Sequence, residues 1–281
     1  MSVAASHPLD DTTEFATCAF AVRAAGSEPG PLPSGLRGHP GGGRPRTLTV
    51  GDLSVVVQSV PAAAFAGDAL ADRLQDPAEL ERCVRAHHGV ITAAALSGAV
   101  VPLPLATLYL DDDRAMAAVH DRREQLSRLL AELSGRAEWG IKVTSVAGPR
   151  PSETTPATGS AEMQPVDGHA YLDRLRGRRQ AREERQEAEL RAAERVLAVV
   201  RRAAVAARRL RPQELPPSGG VRQLLNAALL VDHAAEARLR SAVHVLALDR
   251  GIAERATVEL TGPWVPYSFA RLDEEVPDGV R

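Results

Sequence analysis

Apolar and polar positions change period several times along this chain, and each change marks an element. Phe15 to Val22 is a short apolar run behind a polar stretch and reads as a first strand. Leu48 to Val60, centred on Val55, Val56 and Val57, reads as the next strand region. Asp76-Pro77-Ala78-Glu79 has the form of a helix start: an Asp that can cap, a Pro at the first helical position and an acid in the first turn. Leu80, Val84, His87 or His88, Ile91 and Ala95 follow at helical spacing, with Gly98 as the stop. Ala99 to Leu110 is strand-like. Asp111 to Asp113 then open a second helix, with Met116, Val119, Leu126, Leu130 and Leu133 on one face and Gly135 at its end. Between Glu138 and Ser145, Trp139, Ile141 and Val143 face one way and Glu138, Lys142 and Thr144 the other, which is the cleanest amphipathic strand in the chain.

Two helices, each apolar on one face, need a single sheet face to cover. The expected N-terminal domain, residues 15–146, is therefore an α+β sandwich of ferredoxin-like kind. Residues 1–14 are expected to be disordered, and 147–166, rich in Pro, Ser, Thr and Gly without periodicity, to be a flexible linker.

The second half, residues 167–270, opens on a stretch from Asp167 to about Leu210 without Pro, with Gly177 early. A helix of that span would be about 60 Å long. From Gly177 to Glu189 it is almost wholly charged, and Arg179 with Glu183, Arg185 with Glu189 and Glu187 with Arg191 form i,i+4 pairs. Leu190, Ala193, Leu197, Val200, Ala204 and Ala207 then alternate three and four apart, the spacing of a coiled-coil seam. Leu224 to Val231 reads as a buried strand, and Asp232 as the cap of a helix carrying Leu239, Val243 and Leu246. Ala253 to Leu260 reads as a closing strand in which Thr257, Glu259 and Thr261 alternate with Ala256, Val258 and Leu260. Gly262-Pro263 stops it, and Val265 before Pro266 is pushed to an extended conformation, so Trp264 to Phe269 should be an extended aromatic tail. That tail is expected to pack on the last strand-helix-strand layer or to cross back towards the N-terminal domain. Residues 271–281 are expected to be disordered. The fold class is α+β throughout, with a long coiled-coil-like helix and a small C-terminal α+β domain.

Composition narrows the function more than it defines it. The chain has 281 residues, a formal net charge of -2 and a pI near 6.5, so no global field draws nucleic acid or anionic lipid. Arginine is concentrated between Tyr171 and Arg211, where 13 Arg face 6 acids. A coiled-coil protein binding nucleic acid through helix 171–211 is the alternative this raises. Interleaved acids and the absence of base-stacking aromatics beyond Tyr171 favour a solvated or partner-facing helix. Cys18 and Cys83 form no CxxC element, which suits a reducing cytoplasm, and Met1 to Glu14 has no apolar core of a signal peptide. The uncharged run Gly89 to Leu110 is interrupted by Ser97-Gly98, Pro102 and Pro104, and reads as a helix end followed by a strand rather than a membrane span.

Catalytic, cofactor-binding and metal-binding residues are expected to be absent. Gly41 to Gly43 is followed by no Lys-Ser/Thr and opens no helix, so it is not a phosphate loop. His87 and His88 are adjacent and point about 100° apart on a helix, one to the core and one to solvent. Asp111 to Asp113 complement a helix dipole without needing a cation. A small-molecule-sensing module would need a polar-lined pocket.

The stretch Leu260 to Phe269, Leu-Thr-Gly-Pro-Trp-Val-Pro-Tyr-Ser-Phe, resembles the near-C-terminal signature of the gas vesicle accessory protein family GvpL/GvpF. His87 to Ile91 resembles a His-x-x-Val-Val helix motif of that family, Val101 to Thr107 its Leu-Pro-Leu-Arg-Phe-Gly-Thr segment, and Gly140 to Val143 its Gly-Val-Lys-Val strand. Ala170-Tyr171-Leu172 and Asn226 to Asp232 are similar to further family segments. Pro104 and Ala106 depart from it, standing where relatives have Arg and Gly. The resemblance implies a cytoplasmic, vesicle-associated, non-enzymatic accessory protein that binds the major shell protein and other accessory proteins during vesicle nucleation or growth, with no nucleic acid, membrane or cofactor. On that expectation the layer around Val101 to Leu108 and Glu138 to Val143 handles the shell protein through Val101, Leu103, Leu105, Trp139, Ile141 and Lys142. Gly262, Pro263, Trp264, Pro266, Tyr267 and Phe269, with Tyr171, form the structural signature.

Overall fold

A computed structural model describes residues 14–26, 32–65, 67–146, 168–212 and 221–271. The chain divides into two compact units, one running to Glu138 and resuming at Trp264, the other spanning Trp139–Pro263. Among the described residues no helix is long and apolar enough to cross a membrane.

The first unit is built on a four-stranded sheet. Its strands are β1 (Phe15–Ala24), β2 (Arg46–Val50), β3 (Leu53–Pro61) and β4 (Val100–Tyr109), in spatial order β2-β3-β1-β4. Every pairing is antiparallel. β2 and β3 meet in a hairpin where Gly51, at φ 63°, takes the left-handed position of a two-residue turn. Helices α1 (Ala62–Phe65), α2 (Gly67–Gln75) and α3 (Pro77–Ala95) lie between β3 and β4, and α4 (Asp112–Asp121) and α5 (Arg123–Leu133) follow β4. Asp76 caps α3 by accepting from the Ala78 amide, and Asp111 caps α4 by accepting from that of Arg114, as the sequence reading has it.

Three expectations for this unit need correction. The described order of strand, strand, strand, helix, strand, helix, with β1 and β3 antiparallel, is not the β-α-β-β-α-β order of a ferredoxin-like fold. Nor is only one sheet face covered. Phe20 of β1 meets His87 of α3, while Thr17 donates a hydrogen bond to Asp112 of α4, so helices lie on both faces. Residues 16–23 of β1 are accordingly all buried, and they show no alternation because neither face sees water. The helix expected from Asp111 to Gly135 is also divided, at Arg122.

The second unit holds the other sheet, in order β6-β7-β5-β8. It contains β5 (Arg136–Ser145), α6 (Gly168–Val200), a 3-10 turn (Arg201–Ala203), β6 (Ala206–Arg209), β7 (Gln223–Asp232), α7 (Glu236–Leu248), α8 (Arg250–Ala253) and β8 (Ala256–Trp264). β5 buries alternate residues, as its pattern predicts, yet it pairs with β7 and β8 and not with the first sheet where the sequence reading puts it. Alternation specifies that a strand has one apolar face; it does not specify which sheet supplies the neighbours.

The coiled-coil seam does not form. Leu190 is exposed, the helix ends at Val200, Ala204 lies beyond it and Ala207 is in β6. Ala192, Ala193, Val196, Leu197 and Val200 instead make a buried face of α6 that packs on β7 and α7. Ala and Arg are good helix formers, so local preference would extend α6 through Arg209. The edge of β7 overrides it: the Val205 amide donates to the Leu230 carbonyl and the Leu210 amide to that of Asn226. The tracts expected to be disordered or flexible, 1–14, 147–166 and 271–281, lie almost entirely outside the described residues.

Candidate interaction surface

α3 is the element on which the candidate site is assembled, because its two sides do different things. Its buried side carries Cys83, His87, Val90, Ile91 and Ala94, a rotation of the face read from the sequence that leaves Leu80 and Val84 outside. Small residues at 83 and 94 let the helix approach β1. His87 then stacks in the core with its ring centroid 5.3 Å from Phe20 and 6.0 Å from His39, and His39 lies 5.3 Å from both Phe20 and Phe65. The His87 Nε2–H donates to the Leu103 carbonyl at 3.0 Å; the acceptor is a carbonyl, so the proton is on Nε2. Both ring nitrogens of His39 and Nδ1 of His87 have no partner among the described residues. Burial, together with His87 and Arg73, pushes His39 down to about 4, and burial lowers His87 against the opposing pull of its Leu103 hydrogen bond. Both imidazoles are therefore neutral packing groups.

His39 is held there by the glycine loop. The Gln58 side chain accepts from the His39 amide at 2.8 Å and donates to the carbonyls of His39 at 3.0 Å and Gly43 at 2.8 Å. A Cβ on Gly38 would lie 2.7 Å from Gln58 Cδ, and one on Gly42 2.8 Å from the same carbon and from the Ser59 carbonyl oxygen. The glycines are there so that the backbone can wrap a buried amide, which is the structural reason for a motif that superficially suggests phosphate binding.

The flank of α3 that carries His88, next to the buried side, meets the C-terminal tail, which belongs to the first unit. After the cis Gly262–Pro263 peptide, Val265 packs on the core cluster that includes Phe20 and Ile91, and Phe269 is buried. The Tyr267 hydroxyl hydrogen-bonds His88 Nδ1 at 2.9 Å, and the His88 ring lies 6.2 Å from that of Trp264. Ser268 donates from its amide and its hydroxyl to the two oxygens of Glu138, each at 2.7 Å. Burial, with the Glu138 charge adding to it, pushes the Tyr267 phenol up to about 12. The tail is thus a clasp on the first unit. Trp264 remains 49% exposed and Val84 47%, and Leu80 and Tyr267 are exposed as well. Leu80, Val84 and His88 are spaced four apart and so neighbour one another along α3, making one continuous apolar and aromatic strip that ends on Trp264 and Tyr267.

The partner-binding residues expected from the sequence are placed otherwise. Val101 and Leu103 are buried in the first unit, Trp139 and Ile141 in the second, and only Leu105 and Lys142 are partly exposed. Trp139 carries the Arg240 guanidinium 4.7 Å from its ring centroid and is a core residue of its unit. Val101, Leu103 and Leu105 belong to the first unit, and Trp139, Ile141 and Lys142 to the second. The strip on α3 was legible only in part, since Leu80 and Val84 have helical spacing with His87 or His88, and burial alone tells which side faces out. Gly262 and Pro263 do not stop β8, as the sequence reading expects, but lie within it, the strand running on to Trp264; Pro266 and Phe269 bracket the turn of the clasp, and the Tyr171 side chain lies outside the described residues.

Other candidate chemistry is accounted for by structure. Asp112 accepts from Arg46 at 2.7 and 2.8 Å and from Thr17; burial pushes its carboxyl up, but these hydrogen bonds outweigh that and hold it below the usual range. Among the described residues no group of three or more His, Cys, Asp or Glu could hold a metal. The arginine-rich stretch is split between α6, the 3-10 turn and β6, and Arg179, Arg185, Arg191 and Arg209 pair with Glu183, Glu189, Glu187 and Glu194. Among the described residues nothing favours the nucleic-acid alternative.

The sequence model of the family described as gas vesicle synthesis protein GvpL/GvpF matches residues 18–271. The chain belongs to this family. It is 39% identical over 252 residues to Gas vesicle protein L of Streptomyces sp. (strain CB03234), over 88% of this chain and 90% of that protein. Its fold is similar to that of the gas vesicle protein GvpF from Anabaena sp. PCC7120, with a TM-score of 0.62 at 14% identity over 92% of this chain and 97% of that one. GvpF from Microcystis aeruginosa gives 0.57 at 16% identity, over 92% and 99%. The resemblance drawn from Leu260 to Phe269 and its companion segments therefore holds for the chain as a whole. It also bears on Ala106: this residue sits at φ 68°, a left-handed position that suits the Gly of the GvpL/GvpF pattern better than Ala.

Proposed function

We propose that this GvpL/GvpF protein is a non-enzymatic accessory factor of gas vesicle assembly, working in the cytoplasm at the growing vesicle, and that it binds the major shell protein and other accessory proteins of the vesicle. Membership of the gas vesicle synthesis family over residues 18–271 is the observation that carries this reading. The strip Leu80, Val84, His88, Trp264 and Tyr267 supports it as a surface for an apolar partner, because Leu80, Val84 and Trp264 leave large apolar side chains open to solvent side by side.

Capture of the purified shell protein by the full-length chain tests the binding step, with Val84→Asp as the surface variant. Val84 is 47% exposed, so an Asp in its place can reach water. The expected result is loss of capture with an unchanged thermal midpoint; undiminished capture removes the strip from the proposal. Deletion of the coding region followed by microscopy tests the role itself, and normal vesicles in the deletion strain would end the claim of a required accessory factor. A fragment cut after Val146 is not a suitable probe, since it separates β5 from its sheet partners β7 and β8 and lacks the tail that clasps the first unit.

A further inference from the structure

Ahead of Gln186, α6 buries no side chain among the described residues. Residues 175–185 are all exposed, and the first buried residue of α6 with a described side chain is Glu189, held by Arg222 at 2.7 Å and Arg185 at 3.3 Å. A helix this polar is marginal by itself, sustained here by pairs such as Arg179–Glu183 and Glu187–Arg191. Among its described side chains two large apolar ones nevertheless stand out, Leu175 at 43% exposure and Leu190 at 53%.

Their placement is not arbitrary. At 3.6 residues per turn Leu175 and Leu190 point within about 60° of each other, and the same face carries Arg179, Arg182, Glu183 and Gln186 between them. When an identical helix is laid antiparallel on that face with the midpoint between Arg182 and Glu183, each Leu175 meets the other copy's Leu190. Arg182 then meets Glu183, and Arg179 meets Gln186. Every contact is made twice, as a two-fold axis requires. In the parallel arrangement Arg182 would face Arg182 and Glu183 would face Glu183, so charge selects the antiparallel one.

We infer that α6 is a self-association element, in which residues 175–190 of two copies of this chain pair antiparallel, with Leu175–Leu190 contacts at the ends and Arg182–Glu183 pairs at the centre. The paired stretch is about 24 Å long, shorter than the contact a permanent dimer needs, so the association is weak and reversible. It does not depend on the gas vesicle reading.

The test is sedimentation equilibrium of the full-length chain over a range reaching several hundred micromolar, with circular dichroism to confirm that helix content is unchanged. Wild type is expected to show a reversible monomer–dimer equilibrium. Arg182→Glu and Glu183→Arg, each measured alone, should weaken it about tenfold or more, since each places like charges at both symmetric centres. Mixing the two variants should restore the dimer, because the mixed pair again opposes Glu to Arg at both positions. Leu190→Asp should abolish it. A wild-type chain that is monomeric throughout overturns the inference, and so does a dimer that either charge variant leaves intact. Failure of the mixture to recover association overturns the antiparallel register.

Discussion

Gly38→Ala should be costly for a reason unrelated to its own backbone, and the cost should vanish when a different residue is removed. All three nearest atoms to a Cβ at position 38 belong to Gln58, with Cδ at 2.7 Å and Nε2 at 3.0 Å. The Ala methyl fits only if the Gln58 amide leaves its place, which breaks the bonds to the His39 amide, the His39 carbonyl and the Gly43 carbonyl. At a net 0.5–1.5 kcal/mol each, with burial adding to the penalty, Gly38→Ala should destabilise the first unit by about 2–4 kcal/mol. Gln58→Ala should cost about 3–5 kcal/mol, since it also leaves a cavity and unpaired buried groups. In the double variant the methyl enters the space the amide vacated, so Gly38→Ala adds less than about 0.5 kcal/mol and the coupling is about 2–3 kcal/mol. The assay is urea unfolding followed by Trp264 fluorescence in a Trp139→Phe background, where the remaining Trp reports on the first unit. Gly42→Ala is an internal contrast, because the Ser59 carbonyl remains 2.8 Å from its methyl when Gln58 is gone. Additive costs for Gly38→Ala and Gln58→Ala would refute the reasoning.

Ala106→Gly should stabilise the first unit by about 0.5–1 kcal/mol, because it relieves a left-handed Ala while loosening the unfolded chain; a lower urea midpoint would contradict this. His39 is lowered to about 4 from an unfolded value near 6.5, so between those values the unfolded state binds the extra proton and stability falls with falling pH. The loss should reach about 3 kcal/mol by pH 4, with none above pH 7, and His39→Phe should flatten the profile measured through Trp264. Glu138→Ala removes both acceptors of Ser268 and should speed amide exchange across residues 264–270 by at least about tenfold without altering exchange in β7. Arg222→Ala leaves Glu189, which is buried, with Arg185 alone, and should cost the second unit about 2–4 kcal/mol by thermal unfolding.

Local patterns in this chain were reliable wherever one residue type has one cheap conformation. Asp76-Pro77 and Asp111 start helices because a short carboxylate satisfies a free amide, and β5 alternates because a strand shows one face to a core. The aromatic tail was legible in its family likeness, carried by the Trp-Val-Pro-Tyr-Ser-Phe order, but not in its course: the chain turns at 267–269, where the Phe269 amide donates to the Pro266 carbonyl, instead of staying extended. The site was legible only in outline: His87 and His88 were seen to diverge, but the outward strip formed by Leu80, Val84 and His88 was not.

Tertiary contacts decided everything that depends on a distant partner. Ala206 to Arg209 are helix formers that became a strand because the free edge of β7 offered hydrogen bonds that a longer α6 would have left unmade. β5 joined the second sheet because its alternation fits any sheet with an open edge. Val101, Leu103, Trp139 and Ile141 went to two separate cores, since hydrophobicity states that a side chain will be covered and not by what. The glycines at 38 and 42 had no visible purpose until Gln58, far along the chain, was placed against them. Short-range geometry is written in neighbouring residues; the pairing of surfaces is a competition among all of them, and only the folded chain records which contacts won.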